Sequence, residues 1–246
     1  MRLTRVHVDK PLQAGAEISL PEAPATHLAR VLRLGVGDAC LLFNGDGRDY
    51  AARIIASGRR ELRVVIESVV AVECESRLRV ILLQGIARGE KMDLILQKAT
   101  ELGVFEVRPL SSQRSEVKLD AARAEKRLSH WRSVVVSACE QSGRARLPEV
   151  LPPASLSTVL GALPAGGLRL ILDPDGALVF CALTLESATL VLLAVGPEGG
   201  WSPLDREQLQ GAGFQGLRLG PRILRTETAG LAAIAALQAR FGDLAG

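Results

Sequence analysis

Apolar and polar positions follow two rhythms along the chain, and the change falls near residue 72. Before it, apolar stretches are short and broken by turn residues. Residues 38–43, the turn Asn44-Gly45-Asp46-Gly47 and residues 50–55 read as a hairpin. Asn-Gly and Asp-Gly supply the positive φ angles that a tight hairpin requires. Residues 61–67 make another strand, and residues 27–34 read as a short helix with Arg30 and Arg33 near one side.

Beyond Glu75 the apolar runs lengthen. Residues 78–83 are almost continuously apolar, the pattern of a strand buried on both faces. Met92, Ile95, Leu96, Ala99 and Leu102 recur at helical spacing, with Gly103 as a C-terminal cap. Residues 104–110 form a strand stopped at Pro109, and Leu128, Trp131, Val135 and Ala138 mark a longer helix ending near Gly143. Residues 150–167, rich in Pro, Ala and Gly, read as loop with room for one short helix. Two more buried strands follow at 168–172 and 190–195, and a short one at 217–219. A last helix over 226–241 carries Gly230, Ala233, Ile234, Leu237 and Phe241 on one side, with Thr226 and Thr228 able to cap it. Strand and helix alternate, which predicts an α/β layer fold with a mostly parallel sheet. The chain thus divides into a small β-rich domain, 1–72, and a larger domain, 73–246.

Composition narrows the function classes. The core must be aliphatic, because 48% of residues are hydrophobic but only 3% are aromatic. Cys40, Cys74, Cys139 and Cys181 are far apart, as are His7, His27 and His130, so clustered metal ligands are absent from the sequence pattern. Unpaired thiols, no apolar run long enough to span a bilayer and no signal peptide lead us to expect a cytoplasmic protein without metal or membrane. Net charge is +3, but 25 of the 30 basic residues are arginine. Arginine's planar fork suits phosphate and base contacts. A GC-rich genome would produce the same bias, so composition leaves the partner open.

Open parallel sheets bind ligands outside the carboxyl ends of their strands. Two segments stand at such ends. Gly196-Pro197-Glu198-Gly199-Gly200-Trp201-Ser202 follows the strand ending at Val195, and its glycines let backbone approach a ligand. A helix begins at once, with Ser202 as N-cap, Pro203 in the first turn and Asp205 completing a box-like cap. Leu219-Gly220-Pro221-Arg222-Ile223-Leu224-Arg225-Thr226-Glu227-Thr228-Ala229 leads into the last helix, where Ile223 and Leu224 could wall an apolar slot for adenine. Neither segment is a dinucleotide fingerprint or a Walker loop. Each segment alone is equally a well-capped helix entry.

Together they carry a resemblance. K-M-D-L-I-L-Q-K-A-T-E-L-G-V from Lys91, S-Q-R-S at Ser112, E-Q-S-G-R at Glu140, G-P-E-G-G at Gly196 and L-G-P-R-I-L-R-T-E-T-A at Leu219 resemble the ribosomal RNA small subunit methyltransferase E family, as does R-V-L-R-L-G-V-G-D from Arg30. The likeness spans nearly the whole chain. It implies a SPOUT-type catalytic domain with a trefoil knot, a PUA-like N-terminal barrel, a homodimer, S-adenosylmethionine as cofactor, and methylation of a uridine N3 in 16S rRNA of the small ribosomal subunit. Many ribose-modifying relatives carry an arginine on the first helix of the domain where Gln97 stands here, which favours a base over a ribose 2′-oxygen.

The resemblance implies a cofactor site from Leu172, Val195, Gly196, Pro197, Glu198, Gly199, Gly200, Leu219, Gly220, Ile223, Leu224, Thr226 and Thr228. Glu198 and Glu227 are the carboxylates expected near the methyl group, either of them alternatively a structural acceptor. Arg114 and Arg225 complete the catalytic candidates. Arg114, Arg144 and Arg225 are expected to hold RNA phosphate or steady the imidate charge, with Arg30, Arg33, Lys91 and Lys98 as peripheral RNA contacts. The rival readings are a non-catalytic RNA-binding assembly factor and an unrelated nucleotide-binding enzyme.

Overall fold

The computed structural model describes residues 3–58, 61–117, 120–185 and 190–244. Two compact units emerge: Met1–Glu75 with Val136–Leu147, and Ser76–Val135 with Pro148–Gly246.

In the first unit, β1 (Arg5–His7) and β2 (Glu17–Ser19) precede a short helix, α1 (Glu22–Thr26), which runs into a π-turn at His27–Val31. Then come β3 (Ala39–Phe43), β4 (Arg48–Ser57) and β5 (Leu62–Ala71). The sheet order is β1-β3-β4-β5-β2, antiparallel except for the β1–β3 pair. The predicted hairpin joins β3 to β4, with Gly45 and Gly47 at positive φ. Alternate residues Cys40 and Leu42, Ala52 and Ile54, and Leu62, Val64 and Ile66 turn inward to one apolar cluster. Two register shifts in the β4–β5 ladder mark bulges or irregularities of the kind that bend a sheet.

The helix expected at 27–34 is shorter and starts earlier. Pro24 stands in the first turn of α1, where no amide donor is needed. At the far end Arg33 has φ +57, the one non-glycine residue with positive φ among the described residues, and the Leu34 N–H reaches back to the Leu28 carbonyl. That left-handed turn ends the helix before residue 34.

Residues 136–147 pack in this unit through buried arginines. Arg5 donates to both Asp49 carboxylate oxygens (3.1 and 2.7 Å) and to the carbonyls of Cys139 (2.7 Å) and Arg144 (3.2 Å). Burial pushes the Cys40 thiol up to about 11 and the Cys139 thiol up to about 12, so both are neutral packing groups near neutral pH.

The second unit contains β6 (Arg79–Gly85), α2 (Glu90–Glu101), β7 (Glu106–Ser111), α3 (Ala121–Ser142), β8 (Glu149–Val150), β9 (Ala154–Ser155), α4 (Leu156–Gly161), β10 (Leu168–Leu172), β11 (Leu178–Val179), β12 (Leu190–Val195), α5 (Pro203–Gly211), β13 (Gln215–Arg218) and α6 (Thr226–Phe241). The last turns of α3 count with the first unit. All pairings are parallel, in the order β11-β13-β10-β12-β6-β7-β8, with β9 also on β7. From β6 the chain proceeds one way across the sheet, to β7 and β8; from β12 it proceeds the other way, to β13. The β6–β12 seam is therefore a switch point, where such sheets open a crevice at their carboxyl ends.

Pro109 does not stop its strand. The Leu151 N–H donates to the Val107 carbonyl on the β8 side, and alternation turns residue 109 to that same side. There the edge is interrupted between β8 and β9, so the missing donor of Pro109 breaks no ladder bond. No helix among the described residues is long and apolar enough to cross a membrane.

Candidate active site

A cleft of about 500 Å³ opens where the switch point predicts, bounded by the segments after β10, β12 and β13. Its local construction begins with two glycines. Val195 at the end of β12 pairs with Gln84 of β6, so the Gly196–Pro197 peptide passes directly over Gly85. A Cβ at Gly85 would lie 2.5 Å from the Pro197 nitrogen, closer than real contacts allow. Only glycine at 85 lets the loop settle there.

The loop is then tied from both sides. Ser202 accepts from the Asp205 N–H (3.0 Å) and the Ser202 N–H donates to the Asp205 carboxylate (2.9 Å), the predicted capping box of α5. The other oxygen of Asp205 accepts from the Gln113 N–H at 3.3 Å, which fixes the turn Ser112–Ser115 beside the loop. From that turn Arg114 donates to the Gly199 carbonyl at 3.3 Å, and a Cβ at Gly199 would meet the Arg114 carbonyl at 3.0 Å. On the opposite side the Thr226 hydroxyl donates to the Gly196 carbonyl (2.6 Å) and accepts from Gln84 Nε2 (3.0 Å).

This last contact corrects the expected cap. Arg225 is the N-cap of α6 and makes no side-chain cap bond, while Thr226 stands inside the first turn with its hydroxyl turned sideways to Gly196. Thr228 is exposed, and its side chain does not line the cleft.

Most of the expected cofactor residues do line it: Leu172, Val195, Gly196, Pro197, Glu198, Gly200, Leu219, Gly220, Ile223, Leu224 and Thr226. Gly199 packs behind, on Arg114. Ile223 is 83% exposed, so it stands at the mouth rather than in a closed adenine slot. Trp201 is 4% exposed, and its indole Nε1 has no hydrogen-bond partner among the described residues.

The four expected catalytic residues, Arg114, Glu198, Arg225 and Glu227, share this cleft. Between the two carboxylates stands Lys91, its Nζ 3.5 Å from Glu198 Oε1 and 3.6 Å from Glu227 Oε2. Glu198 Oε1 also accepts from the Arg88 N–H at 3.0 Å. Burial alone would raise the Glu198 pKa. The Arg88 amide, its own amide and the Lys91 ammonium outweigh that and hold it below the usual carboxylate range.

The remaining RNA candidates are not brought here. Arg30 and Arg33 belong to the first unit, and Lys98 pairs with Glu101 at 2.8 Å away from the cleft. Lys91, expected at the periphery, is inside it. Arg144 is 5% exposed and its Nε donates to Glu75 at 3.1 Å. A guanidinium so enclosed and paired holds protein together rather than offering itself to phosphate. Gln97 is exposed on α2, outside the cleft.

Several lining residues were not singled out in the sequence: Trp201, Asp173 with its ion-pair partner Arg206, Arg218 and Arg222. Gln84 had left a signal, being the one polar residue in the otherwise apolar run of β6 that begins after Arg79. What it bonds to could not be read from that run.

Comparison with known proteins agrees with this architecture. A family profile described as RNA methyltransferase domain matches residues 74–238, and one described as RNA methyltransferase PUA domain matches residues 20–67. The ribosomal RNA small subunit methyltransferase E of Buchnera aphidicola subsp. Schizaphis graminum is 33% identical over 99% of this chain and 98% of its own length. That of Mycobacterium bovis is 32% identical over 94% and 89%. A putative methyltransferase of Legionella pneumophila, solved with bound cofactor SAM, superposes with a TM-score of 0.95 at 36% identity, covering 99% of this chain and 100% of that one. The Neisseria gonorrhoeae ribosomal RNA small subunit methyltransferase E, bound to S-adenosyl methionine, gives 0.92 at 38% identity with the same coverage. With its cleft on the parallel sheet and this agreement along nearly its full length, the chain belongs to the ribosomal RNA small subunit methyltransferase E family.

Proposed function

We propose that this chain transfers a methyl group from S-adenosylmethionine to N3 of a uridine in 16S rRNA of the small ribosomal subunit. Family membership supports the reaction class. The observation that carries the reading to this chain's own residues is the cleft, where apolar walls and backbone meet three carboxylates and several arginines. Its volume of about 500 Å³ lies in the range of roughly 300–1,000 Å³ common for small-molecule sites.

In this reading Leu172, Val195, Leu219 and Leu224 hold the cofactor's apolar portion, and the 196–200 loop with Gly220 brings backbone against it. The cofactor supplies a sulfonium methyl group. The chain supplies placement: the Gly196 loop and the α6 entry, tied together by Thr226, fix one wall while the target base enters from the mouth at Ile223. Orientation of this kind can contribute up to about 7–11 kcal/mol in favourable systems. Arg225 and Arg114 line the cleft, and in this reading they steady negative charge on the uracil imide or hold the adjoining phosphate. The target base must be unstacked to enter.

The remaining assignments belong to the same proposal. Residues 1–72, with Arg30 and Arg33, serve as an RNA-contacting domain, and residues 73–246 as the catalytic domain. The enzyme acts as a homodimer in the cytoplasm, and its C-terminal segment is threaded as a trefoil knot.

The test is transfer from labelled S-adenosylmethionine to small subunits from a strain lacking the enzyme, read by nucleoside mass spectrometry. The expected product is 3-methyluridine. Another methylated nucleoside would refute the target atom, and cofactor binding without transfer would favour the assembly-factor reading.

A further inference from the structure

The methyl acceptor in the proposed reaction is an imide nitrogen that carries a proton, so one group must take that proton. Three carboxylates line the cleft; Asp173 is taken up by an ion pair with Arg206, and one ammonium stands between the other two, Glu198 and Glu227. Their surroundings differ. Glu198 Oε1 is already engaged by the Arg88 N–H and by Lys91, and its position on the 196–200 loop makes it the strut that holds this loop against the start of α2. The Arg88 amide and the Lys91 ammonium both stabilise its anion, which weakens it as a proton acceptor.

Glu227 is unlike it. Its Oε2 is buried and pairs with Lys91 Nζ at 3.6 Å, much as Glu198 does at 3.5 Å, but no backbone amide of a described residue donates to it. No described group hydrogen-bonds to its other oxygen, which is not among the buried unpartnered atoms and so reaches the cleft. The side chain lies in the first turn of α6, one residue beyond the Thr226 tie to the Gly196 loop. Its place relative to the cofactor loop is therefore fixed.

We propose that Glu227 is the general base of the reaction, that Lys91 positions it, and that Glu198 is a structural strut. This rests on the reading of the chain as a uridine-N3 methyltransferase. The uridine N3–H bond breaks as its proton passes to the Glu227 carboxylate, and the bonding pair stays on the imide, spread over N3 and the two flanking carbonyl oxygens. N3 then bonds to the methyl carbon while the pair of the carbon–sulfur bond remains on sulfur. The proton on Glu227 leaves to solvent after product release, so the net reaction yields methylated base, a neutral thioether and one proton. Lys91 and Glu198 are the charged neighbours of Glu227 from α2 and the loop, and Arg225 is its neighbour in sequence at the start of α6. Arg114, Arg218 and Arg222 ring the rest of the cleft, and Asp173 is paired with Arg206.

The experiment is Glu227→Gln, with the full-length protein and small subunits from a strain lacking the enzyme. Affinity for S-adenosylhomocysteine should stay within about twofold, while methyl transfer near neutral pH falls about 10²–10⁴-fold, the usual contribution of general base catalysis. Because only pre-ionised imide then reacts, the variant's rate should climb about tenfold per pH unit between about pH 6.5 and 8.5, closing on the wild type. Glu198→Gln should instead lose cofactor affinity and show no such recovery. The proposal is overturned if Glu227→Gln keeps the wild-type rate, loses a constant factor at every pH, or loses cofactor affinity in proportion to rate. Wild-type enzyme that makes no 3-methyluridine would instead bring down the reading beneath it.

Discussion

The hydroxyl of Thr226 donates to the carbonyl of Gly196 across 2.6 Å, joining the last helix to the glycine-rich loop thirty residues earlier. The same hydroxyl accepts from Gln84, which belongs to the neighbouring strand β6. One side chain thus ties the last helix, the glycine-rich loop and strand β6 together. Replacing it with the near-isosteric valine, Thr226→Val, leaves the Gly196 carbonyl and the Gln84 amide short of a partner. The expected cost is about 1–3 kcal/mol. Calorimetry should find weaker binding of S-adenosylhomocysteine along with a lower Tm; unchanged binding would show that the tie does not shape the cleft.

Gly85→Ala tests the seam itself. The added methyl would sit 2.5 Å from the Pro197 nitrogen and 2.7 Å from its Cδ, and neither is a flexible chain end. Overpacking of this kind costs about 1–3 kcal/mol. The loop must shift, so cofactor affinity should fall together with thermal stability. A variant that binds the cofactor normally would mean that the loop position is not set by Gly85.

Arg144→Ala should behave as a structural mutation. Its guanidinium is enclosed and paired with Glu75, and its carbonyl accepts from Arg5. Truncating one partner of a buried pair costs about 3–5 kcal/mol, and the partly exposed Glu75 places this case near or below the lower bound. Thermal denaturation should show the loss. The remaining folded enzyme should keep wild-type activity per molecule; normal stability with lost RNA transfer would restore Arg144 as an RNA contact.

The Glu198 strut should carry a pH signature. Its pKa is depressed in the folded protein, so the stability it contributes is present above the ordinary glutamate value and is lost as pH falls through the folded value. The Tm difference between wild type and Glu198→Gln should be largest near neutral pH and shrink in acid. A difference that stays constant into acid would show that the charge of Glu198 contributes nothing.

Ile223 is the apolar residue at the mouth, 83% exposed in the free chain. If an occupant covers it, Ile223→Ala should lose part of the roughly 1.5–3 kcal/mol that burying such a side chain contributes. Comparing S-adenosylhomocysteine affinity with KM for the small subunit tells which occupant does so. No change in either would leave Ile223 outside both contacts.

Much of this molecule is legible because it is local. The β3–β4 hairpin follows from Asn44 to Gly47, whose turn chemistry needs no distant partner. The Met92, Ile95, Leu96 and Ala99 face of α2 is buried as its spacing predicts. The α5 capping box needs only Ser202 and Asp205, three residues apart. Local rules mislead where the deciding neighbour is remote. Pro109 lies inside β7 because the edge beside it is interrupted, and Thr226 serves Gly196 rather than its own helix end.

The sequence by itself determined the longer strands and helices, though not short ones such as β1, β2, β8, β9 and β11, and its motifs marked the two loops that hold most of the cleft-lining residues. Periodicity, turn residues and caps act within a few positions, so a linear reading captures them. Tertiary structure alone decided that β12 lies beside β6, and from that seam the rest follows. Gly85 comes under Pro197, Lys91 comes between Glu198 and Glu227, and Thr226 reaches Gly196 and Gln84. Strand order is set by how all the apolar faces bury at once, and no single stretch of sequence contains that information.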